Sequence, residues 1–334
     1  MPASHIPLVA VLGASGFVGS AVAARLASRP IRLRLVARRP STVPAGQAHV
    51  EVRTADLTEP GAVQDAVAGA DAVVHLPLHT AGGTYRAAET DPAGERVNLG
   101  TARDLVAALR RRPPGQGPPP VVVFPGSTSQ VGPPRTPLLD GTEADRPATE
   151  YDRQKCAVEE DLRAATAAGV LRGVTLRLPT VFGAPAAPEA VDRGVVTAMV
   201  RRALAGQPLT LWGDGRVRRD LLHVTDVAAA IALSLDRADA LAGGRWLLGS
   251  GTGVSLRTLF ELVAEVVAEH TGRPPVPVTS VPVPAQATEM DGRDLVADPA
   301  AFRAATGWTA AVPPRAGIAG IVSAQLAATP GGSG

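Results

Sequence analysis

The chain of 334 residues has a formal net charge of +2 at pH 7, and 45% of its residues are hydrophobic although only 3% are aromatic. Scattered arginines and a near-neutral charge exclude an extended basic surface for nucleic acid, and no apolar run reaches the roughly 18 uninterrupted residues that span a membrane. The one cysteine excludes an internal disulfide bond and favours a reducing compartment, so we expect a cytoplasmic globular protein of about two domains.

The chain begins with a predicted strand, a glycine-rich turn and a helix. An apolar run from Pro7 to Leu12 predicts the strand, and a helical pattern follows from Ser20 to Ser28. Glycines between them let backbone amides and a helix N-terminus approach a pyrophosphate closely, which predicts a dinucleotide site rather than a purely structural turn. The residues expected to contact the dinucleotide here are Gly13, Ser15, Gly16, Phe17, Val18 and Gly19.

The end of the second strand predicts which dinucleotide binds. The predicted strand Ile31–Ala37 is followed by Arg38 and Arg39, with no acidic residue beside them. A carboxylate in this region bonds the ribose 2′-hydroxyl of NAD, whereas arginine accepts the 2′-phosphate of NADP. The two arginines therefore favour NADPH, although a solvent-exposed basic loop would carry the same residues.

Strands and helices continue to alternate through the first half of the chain, as they do in a parallel α/β sheet. A proline-rich stretch, Arg110–Pro120, predicts an exposed loop, and the strand after it leads into small hydroxyl residues around Ser127. Ligands bind at the carboxyl edge of such sheets, so these hydroxyl groups are expected to face the site. The other predicted elements are strands at Val50–Val52, Ala72–Leu76 and Val121–Phe124 and helices at Ala62–Ala68 and Asn98–Ala108.

Tyr151 and Lys155 form the residue pair with the clearest chemical meaning. Lys155 is the only lysine of the chain, Tyr151 is one of two tyrosines, and the lysine follows the tyrosine by four positions. On a helix these positions share one face. A nearby ammonium favours phenolate and lowers a tyrosine pKa that is ordinarily ~10, so the pair predicts an acid that works near neutral pH.

Together these motifs resemble the extended short-chain dehydrogenase/reductases, the NAD(P)-dependent epimerase/dehydratase family whose members act on nucleotide sugars. The resemblance covers nearly the whole chain. It implies an α/β fold with a Rossmann-type doubly wound parallel sheet and a smaller C-terminal α/β substrate lobe. The motifs that carry it are Gly13/Gly16/Gly19, Asp56-Leu57, Asn98-Leu99-Gly100-Thr101, Ser127, Tyr151/Lys155, Leu178–Gly183, Arg219–Asp226 and Thr306-Gly307-Trp308.

The resemblance also implies roles for individual residues. Ser127, Tyr151 and Lys155 are expected to be catalytic: Ser127 hydrogen-bonds the reacting oxygen, Tyr151 is the general acid/base, and Lys155 holds the nicotinamide ribose while it tunes the tyrosine. Arg219 is expected to bind the diphosphate of a nucleotide sugar, unless it pairs with Asp220 instead. The further expected contacts are Asp56, Leu57, Leu76 and Pro179 for the cofactor, and Asn98, Thr128, Ser129 and His79, with Thr80 and Tyr85, for the substrate.

Departures from the family pattern narrow the expected reaction. Nucleotide-sugar dehydratases carry an Asp-Glu pair directly after the catalytic hydroxyl, where this chain has Thr128 and Ser129, so dehydration is not expected. Epimerases of the family commonly carry the acidic NAD signature, whereas Arg38 and Arg39 point to NADPH and net reduction. The stretch Asp140–Pro147 is similar to actinomycete 4-ketoreductases that reduce dTDP-4-keto-6-deoxyhexoses in deoxysugar pathways.

We therefore expect NADPH-dependent reduction of the C4 keto group of a dTDP-4-keto-6-deoxyhexose. Two other activities stay open: a ketoreductase acting on a polyketide or other aglycone, which would not need Arg219, and a nucleotide-sugar 4-epimerase. A dinucleotide sensor without catalysis would have no use for Ser127, Tyr151 and Lys155 together.

The resemblance places a dinucleotide-binding domain at residues 1–178, rejoined by about 220–250, and a substrate lobe at 179–330, mainly 179–219 and 251–330. We expect the tail Pro330–Gly334 to be disordered. A homodimer through the helix that carries Tyr151 is compatible with an apolar face that includes Val158 and Leu162. No metal site is expected, because His75 and His79 lack a third ligand.

Overall fold

The computed structural model describes residues 6–80, 91–113, 117–285 and 287–328; Tyr85 and the tail Pro330–Gly334 lie outside the described residues. The strands are β1 (Leu8–Leu12), β2 (Arg32–Ala37), β3 (His49–Thr54), β4 (Ala72–His75), β5 (Val121–Ser127), β6 (Leu138–Leu139), β7 (Arg172–Leu178), β8 (Thr180–Phe182), β9 (Leu209–Trp212), β10 (Arg218–His223), β11 (Arg245–Leu247), β12 (Gly253–Ser255), β13 (Val278–Val281) and β14 (Val296–Ala297). The α-helices are α1 (Phe17–Ala27), α2 (Ala62–Val67), α3 (Pro92–Glu95), α4 (Thr101–Arg110), α5 (Glu150–Ala167), α6 (Val195–Leu204), α7 (Val224–Asp236), α8 (Ala238–Leu241), α9 (Leu256–Thr271), α10 (Ala300–Thr306) and α11 (Pro314–Ala328).

A seven-stranded parallel sheet forms the centre of the molecule. Its strand order is β11-β7-β5-β4-β1-β2-β3, and every neighbouring pair is parallel. The order in which strands are added reverses at β1, because β2 and β3 lie on one side of it and β4 and β5 on the other. The carboxyl ends of β1 and β4 therefore border the crevice in which such sheets bind ligands. The predicted Rossmann-type doubly wound sheet is confirmed.

Alternate side chains of the strands enter two separate cores, one on each face of the sheet. In β1, Val9 and Val11 pack with α1 and α7, whereas Leu8, Ala10 and Leu12 pack with α2, α4 and α5. Successive strand residues point to opposite faces, so a strand covered by helices on both sides must be apolar throughout. Burial on both faces therefore explains the unbroken apolar run that predicted this strand.

A smaller unit is built around a third core between α6, α9 and α11. Its backbone includes a three-stranded sheet of β12, β10 and β8 and the pair β13 and β9. The chain returns to the central sheet between these parts, because α7 packs on α1 and β11 pairs with β7. We propose the domain division that the sequence predicts: residues 1–178 rejoined by about 220–250, and a lobe of 179–330, mainly 179–219 and 251–330. Residues at the centre of the third core include Phe182, Val200, Leu209, Val263 and Ile321.

The end of the chain ties the two parts together. Phe302 of α10 and Trp308 after it are buried in the core that also contains α1 and α7. The indole Nε1 of Trp308 donates a hydrogen bond of 3.2 Å to the carbonyl of Asp226. Aromatic packing between Trp246, Phe302 and Trp308, with ring centroids 5.7–6.2 Å apart, joins α10 to the edge strand β11.

One predicted helix differs from the structure at its start. The pattern predicted a helix from Asn98 to Ala108, but the helical backbone already begins with α3 and passes through a wide π-helical turn, Arg96–Gly100, into α4. Asn98 lies inside this turn and is buried. Turns of this kind interrupt α-helices frequently at functional sites, because they redirect a side chain out of its regular position.

The apolar face of α5 that was expected to support a dimer is buried within the chain itself. Val158 is fully buried and Leu162 is 2% exposed, and both pack in the core between α5 and the central sheet. This face therefore gives no support to a dimer, because a helix that covers a sheet uses its apolar side for that contact.

A buried ion-pair network fixes α5 against the sheet. The guanidinium of Arg177 on β7 donates to both carboxylate oxygens of Asp145, over 2.7 and 2.8 Å, and to Glu159 on α5 over 2.8 Å. The Arg177 side chain is only 3% exposed. Burial lowers the pKa of Arg177, but its bonds to Asp145 and Glu159 outweigh burial and raise the pKa overall. Arg177 therefore stays protonated between the two carboxylates beneath α5.

Replacing Arg177 by methionine tests how strongly this network stabilises the fold. We expect Arg177→Met to lower the free energy of unfolding by about 3–5 kcal/mol, because it leaves two carboxylates without their buried partner. Urea unfolding followed by circular dichroism measures the loss. The matched control is Arg163→Met, because Arg163 lies on the exposed side of α5 and pairs with an exposed Glu160. An equal shift of the two unfolding midpoints would contradict the account.

Candidate active site

One large cavity of about 2100 Å³ runs from the carboxyl edge of the central sheet into the smaller lobe. Ligand pockets commonly measure about 300–1,000 Å³, so this cavity has room for a dinucleotide and a second ligand. Two of the expected site residues, Lys155 and Asn98, lie behind its wall. The expected residues that line it are Gly13, Ser15, Gly16, Phe17, Val18, Gly19, Arg38, Arg39, Asp56, Leu57, Leu76, His79, Ser127, Thr128, Ser129, Tyr151, Pro179 and Arg219.

The glycine turn between β1 and α1 leaves a cradle of backbone at one end of the cavity. Gly13 has a φ of 82°, and its N–H donates to the Val36 carbonyl over 2.8 Å. A Cβ on Gly19 would lie 2.2 Å from the Gly13 carbonyl oxygen, so only glycine lets α1 begin this close to β1. Gly16 brings no capping side chain to the start of α1. The helix N-terminus can therefore bind the pyrophosphate of a dinucleotide.

Two exposed arginines and one exposed carboxylate border the cavity where an adenosine would lie. Arg38 and Arg39 follow β2, and Asp56 follows the adjacent strand β3. Thr58 donates its backbone N–H and its hydroxyl to Asp56, over 2.9 and 2.7 Å, and these bonds lower the pKa of that carboxyl. Neither guanidinium donates a hydrogen bond within the described part of the chain, so both can donate to the oxygens of a phosphate ligand.

Ser127 lies where β5 ends and a short 3₁₀ turn begins. The Gln130 side-chain oxygen accepts the Ser127 N–H over 2.7 Å, and the Ser129 N–H donates to Ser127 Oγ over 3.2 Å. The Oγ atoms of the two serines are 2.7 Å apart, and Ser129 Oγ donates to the carboxylate of Asp152 over 2.5 Å. The Ser127 hydroxyl is therefore the end of a hydrogen-bonded chain that starts at a carboxylate on α5.

Lys155 lies behind Tyr151, between α5 and β5. Its Nζ donates to the Pro125 carbonyl over 2.8 Å and lies 4.5 Å from the ring centroid of Phe124 and 5.6 Å from that of Tyr151. The residue is 7% exposed, and burial lowers its pKa to about 8 against the attraction of Glu159. The ammonium of Lys155 is therefore close enough to act electrostatically on the Tyr151 ring.

His75 is a neutral neighbour of Lys155. Complete burial, and then the charge of Lys155, lower the pKa of His75 to about 3. Its Nε2 lies 3.1 Å from the Thr101 hydroxyl, and its Nδ1 is buried without a hydrogen-bond partner among the described residues. An uncharged imidazole here adds no second positive charge beside that of Lys155.

His79 lines the cavity, and Asn98 lies directly behind it. The Asn98 side chain donates to the Gln154 oxygen over 2.8 Å and accepts the backbone N–H of His79 over 2.8 Å. The His79 Nε2 is 2.6 Å from the carboxylate of Asp91. Asn98 therefore braces the loop after β4 against α5, while His79 lines the cavity with its ring tied to an acid. Thr80, also in the lining, accepts a hydrogen bond of 2.7 Å from Arg193.

The guanidinium of Arg219 lines the cavity but is bonded to backbone carbonyls. Its Nη1 donates to the carbonyls of Arg218 and Arg293, over 3.0 and 2.6 Å, and its Nη2 to those of Met290 and Asp291, over 3.1 and 3.3 Å. These bonds fasten the segment 290–293 across the mouth of the small sheet. Arg219 thus shapes the lobe side of the cavity in addition to giving it a positive charge.

Asp220, the other partner expected for Arg219, is engaged elsewhere. It is fully buried and accepts bonds from the backbone and hydroxyl of Ser250, at 2.9 and 2.7 Å, and from the Ala297 N–H at 3.2 Å. Burial raises the pKa of this carboxyl. Adjacent strand residues point to opposite faces, which separates Arg219 on the cavity side from Asp220 in the interior.

Thr128 is 2% exposed, and its hydroxyl donates a hydrogen bond of 3.3 Å to the Leu178 carbonyl, which braces β5 against β7.

Among the residues that the structure describes, no three His, Cys, Asp or Glu side chains are grouped so that they could hold a metal ion. In the same described ranges, no helix is both long and apolar enough to span a membrane.

Sequence reasoning missed the polar residues directly behind the cavity wall. Asp152 and Gln154 lie inside the segment that predicted the Tyr151 and Lys155 pair, and they anchor Ser129 and Asn98. The pattern Thr149-x-x-Asp152 does signal a helix N-cap, and Thr149 accepts the Asp152 N–H over 3.1 Å. It gives no sign of the bond to Ser129, because that contact joins residues from separate elements.

Comparison with known proteins identifies the family. The model of the NAD dependent epimerase/dehydratase family matches residues 9–249, a range that includes the glycine turn, Ser127, Tyr151 and Lys155. The chain belongs to this family, as its motifs predict.

Individual relatives include reductases and epimerases of sugars. The 2'-dehydrokanamycin reductase of Streptomyces kanamyceticus is 32% identical over 298 residues, which cover 87% of this chain and 74% of that protein. The dTDP-6-deoxy-L-talose 4-dehydrogenase (NAD(P)(+)) of Kitasatospora kifunensis is 29% identical over 314 residues and 90% of each chain. The structure of a Thermus thermophilus UDP-glucose 4-epimerase with NAD matches with a TM-score of 0.77 at 27% identity, over 96% of this chain and all of that one.

The buried lysine makes stability depend on pH in a defined window. The pKa of Lys155 falls from 10.5 to about 8 on folding, so between these values the unfolded chain binds a proton that the folded chain does not. The free energy of unfolding therefore rises with pH across this window. Between pH 8 and pH 10.5 we expect the free energy of unfolding of wild type to rise by on the order of 3 kcal/mol more than that of Lys155→Met. Urea unfolding at a series of pH values measures both. Parallel pH profiles for the two proteins would contradict this.

Proposed function

We propose that this chain is an NADPH-dependent ketoreductase that reduces the C4 keto group of a dTDP-4-keto-6-deoxyhexose in deoxysugar biosynthesis, in the cytoplasm. One observation carries the proposal: Ser127, Tyr151 and the glycine turn all line one cavity, with the ammonium of Lys155 directly behind the tyrosine. A dinucleotide-binding turn and a phenol close to an ammonium group, both at the same cavity, favour hydride transfer coupled to proton transfer.

The reaction needs one hydride and one proton. NADPH supplies the hydride to C4 of the keto sugar when it is bound on the glycine turn. Tyr151 donates its phenol proton to the oxygen of the former carbonyl, and Ser127 contacts that oxygen. Lys155 stabilises the resulting phenolate from behind. A positioned proton transfer of this kind contributes typically ~10²–10⁴-fold to the rate.

The residues after Ser127 argue against elimination of water from the sugar. An eliminating enzyme needs an acid and a base aimed at neighbouring carbons. The hydroxyl of Thr128 is bonded to the Leu178 carbonyl and that of Ser129 to Asp152, so neither is an ionisable group facing the substrate. Epimerisation uses the same three residues as reduction, and it differs in retaining the cofactor through both halves of the reaction.

Two observations favour a second candidate, reduction of a secondary-metabolite ketone that carries no nucleotide. The guanidinium of Arg219 is bonded to backbone carbonyls, and the diphosphate of a nucleotide sugar would have to share it with them. One relative is named for reducing a dehydro form of the antibiotic kanamycin. The named dTDP-sugar relative, which uses NAD(P)(+), supports the first candidate.

Kinetics with the two nicotinamide cofactors test the proposed role of the arginines. We expect wild type to have a lower KM for NADPH than for NADH. Arg38→Ala/Arg39→Ala should raise the KM for NADPH by about tenfold or more, because each charge-assisted bond to phosphate contributes about 1.5–3 kcal/mol. NADH lacks that phosphate and serves as the internal control, so its KM should change little. A wild type that prefers NADH would overturn the cofactor proposal.

Tyr151→Phe tests the proton-transfer step. We expect the variant to bind NADPH with the wild-type dissociation constant, measured by fluorescence, and to lose about 10²-fold or more of kcat for the dTDP-4-keto sugar. Substantial residual turnover would remove Tyr151 from the role of general acid.

The same variant distinguishes the two candidate substrates. A ligand that binds only the native state raises the melting temperature by mass action, so dTDP or a dTDP-sugar should stabilise the NADPH complex of Tyr151→Phe. Absence of a shift with any nucleotide would reject the nucleotide sugar in favour of a substrate without a diphosphate.

A further inference from the structure

One short segment of the smaller lobe, residues 189–193, is bonded to two loops of the central sheet. At its first end the carboxylate of Glu189 accepts the backbone N–H and the hydroxyl of Thr42, over 2.7 and 2.8 Å. Four residues later, Nη1 of Arg193 donates to the hydroxyl of Thr80 over 2.7 Å. We call residues 189–193 the strap, because each end of the segment fastens the lobe to a different loop.

The order of the strands shows where the strap lies. Thr42 follows β2 and Thr80 follows β4, and these two strands are the neighbours of β1 on either side. Strands are about 4.8 Å apart, so the two loops begin roughly 10 Å from each other, with the glycine turn after β1 between them. Four residues of extended chain reach at most about 14 Å, which is enough to join the loops. The strap therefore bridges the two loops that flank the glycine turn.

The strap is also part of the wall of the large cavity. Val191 and Arg193 line that cavity together with the glycine turn, and the Val191 side chain is 45% exposed although it is apolar. A dinucleotide whose pyrophosphate lies on the glycine turn would therefore lie beneath the strap, between the two bonds at its ends.

One buried carboxylate holds the strap in shape. Asp192 is 3% exposed, and it accepts the N–H of Gly194 over 2.8 Å and the hydroxyl of Thr197 in the first turn of α6. These bonds attach the strap to α6, so its two ends move together. Thr42 and Arg193, by contrast, are exposed. Hydrogen bonds at the surface open at a lower cost in free energy than those of the core, so the ends are the part of the strap that opens.

We propose that the strap is a gate over the bound dinucleotide, closed by Glu189 on Thr42 and by Arg193 on Thr80, which opens whenever the cofactor enters or leaves. Glu189 and Arg193 are positioning residues, since they act on cofactor exchange and not on the reacting atoms. The inference rests on the proposed reductase only for the identity of the cofactor. A reductase exchanges NADP⁺ for NADPH in every turnover, and a gate closed by surface hydrogen bonds suits that exchange.

Glu189 has a second way to affect the cofactor, because it also lies near Arg39. Burial alone would raise the pKa of Glu189, but its bonds to Thr42 and the charge of Arg39 lower the pKa overall. A residue that only held the loop of Arg38 and Arg39 in place for a 2′-phosphate would strengthen NADPH binding and leave NADH unaffected. A gate behaves differently, because it slows association and dissociation by the same factor and does so for both cofactors.

Stopped-flow fluorescence of NADPH measures both rate constants with no sugar present. We expect Glu189→Ala to raise the association and the dissociation rate constants of NADPH each by about 3- to 10-fold, because the bonds that close one end of the gate are lost. The dissociation constant should stay at the wild-type value, since both rates change equally. Dissociation is followed after a chase with excess NADP⁺, and NADH should show the same two increases.

Two further variants serve as a second test and a control. Thr80→Val removes the acceptor of Arg193 at the other end of the strap with little change of shape, and it should also raise both rate constants. Asp239→Ala removes an exposed carboxylate that bonds Arg172 at the start of β7, the edge of the sheet opposite the cavity, and it should change neither. Circular dichroism checks that each variant is folded.

Unchanged rate constants in Glu189→Ala would overturn the gate. Faster dissociation with an equal loss of affinity would also overturn it, and a change confined to NADPH would make Glu189 a support of the phosphate site instead. Failure of wild type to reduce a dTDP-4-keto sugar would refute the proposed substrate and leave these rate constants unaffected. A wild type that binds NADH alone would refute the NADPH proposal, and the two NADH rate constants then decide on the gate. A wild type that binds neither dinucleotide would overturn both.

Discussion

The burial of one ammonium group, that of Lys155, determines how the rest of the site is built. Removing a charge from water is costly unless the protein supplies partners. Here the partners are the Pro125 carbonyl at 2.8 Å and the ring face of Phe124 at 4.5 Å, both on β5. Lys155 can reach them only if α5 lies tightly on the sheet, and this position also brings Tyr151 to the carboxyl edge of β5. The position of Tyr151 at the cavity and the packing of α5 on the sheet are therefore one constraint.

Three polar contacts hold α5 in that position from three different elements. Glu159 bonds Arg177 on β7, Gln154 bonds Asn98 in the π-helical turn, and Asp152 bonds Ser129 after β5. Each of these bonds is buried or partly buried. Polar networks at low dielectric are strong when every member has a partner, and they specify a single arrangement of the elements they join. The result is a rigid wall behind a wide cavity, which suits a reaction that requires accurate placement of a phenol and a nicotinamide.

Much of the fold could be predicted from the sequence because the signals are local. The glycine turn, the apolar strands and the spacing of Tyr151 and Lys155 each depend on a few consecutive residues, and together they gave the parallel sheet and the dinucleotide cradle. The side chains behind the wall depend on contacts between distant segments, such as the 56 residues that separate Asn98 from Gln154. For the same reason Val158 and Leu162 on α5, which were expected to support a dimer, instead cover the chain's own sheet, and the dimer stays a prediction.

The central claim is that the chain transfers hydride from NADPH to C4 of a keto sugar. Incubation with NADPH that carries deuterium at the transferred position of nicotinamide C4, followed by NMR of the sugar product, tests it directly. The account predicts one deuterium on C4 of the reduced dTDP-6-deoxyhexose and consumption of one NADPH for each sugar. A sugar recovered without deuterium, or converted to its C4 epimer with no NADPH consumed, would contradict it.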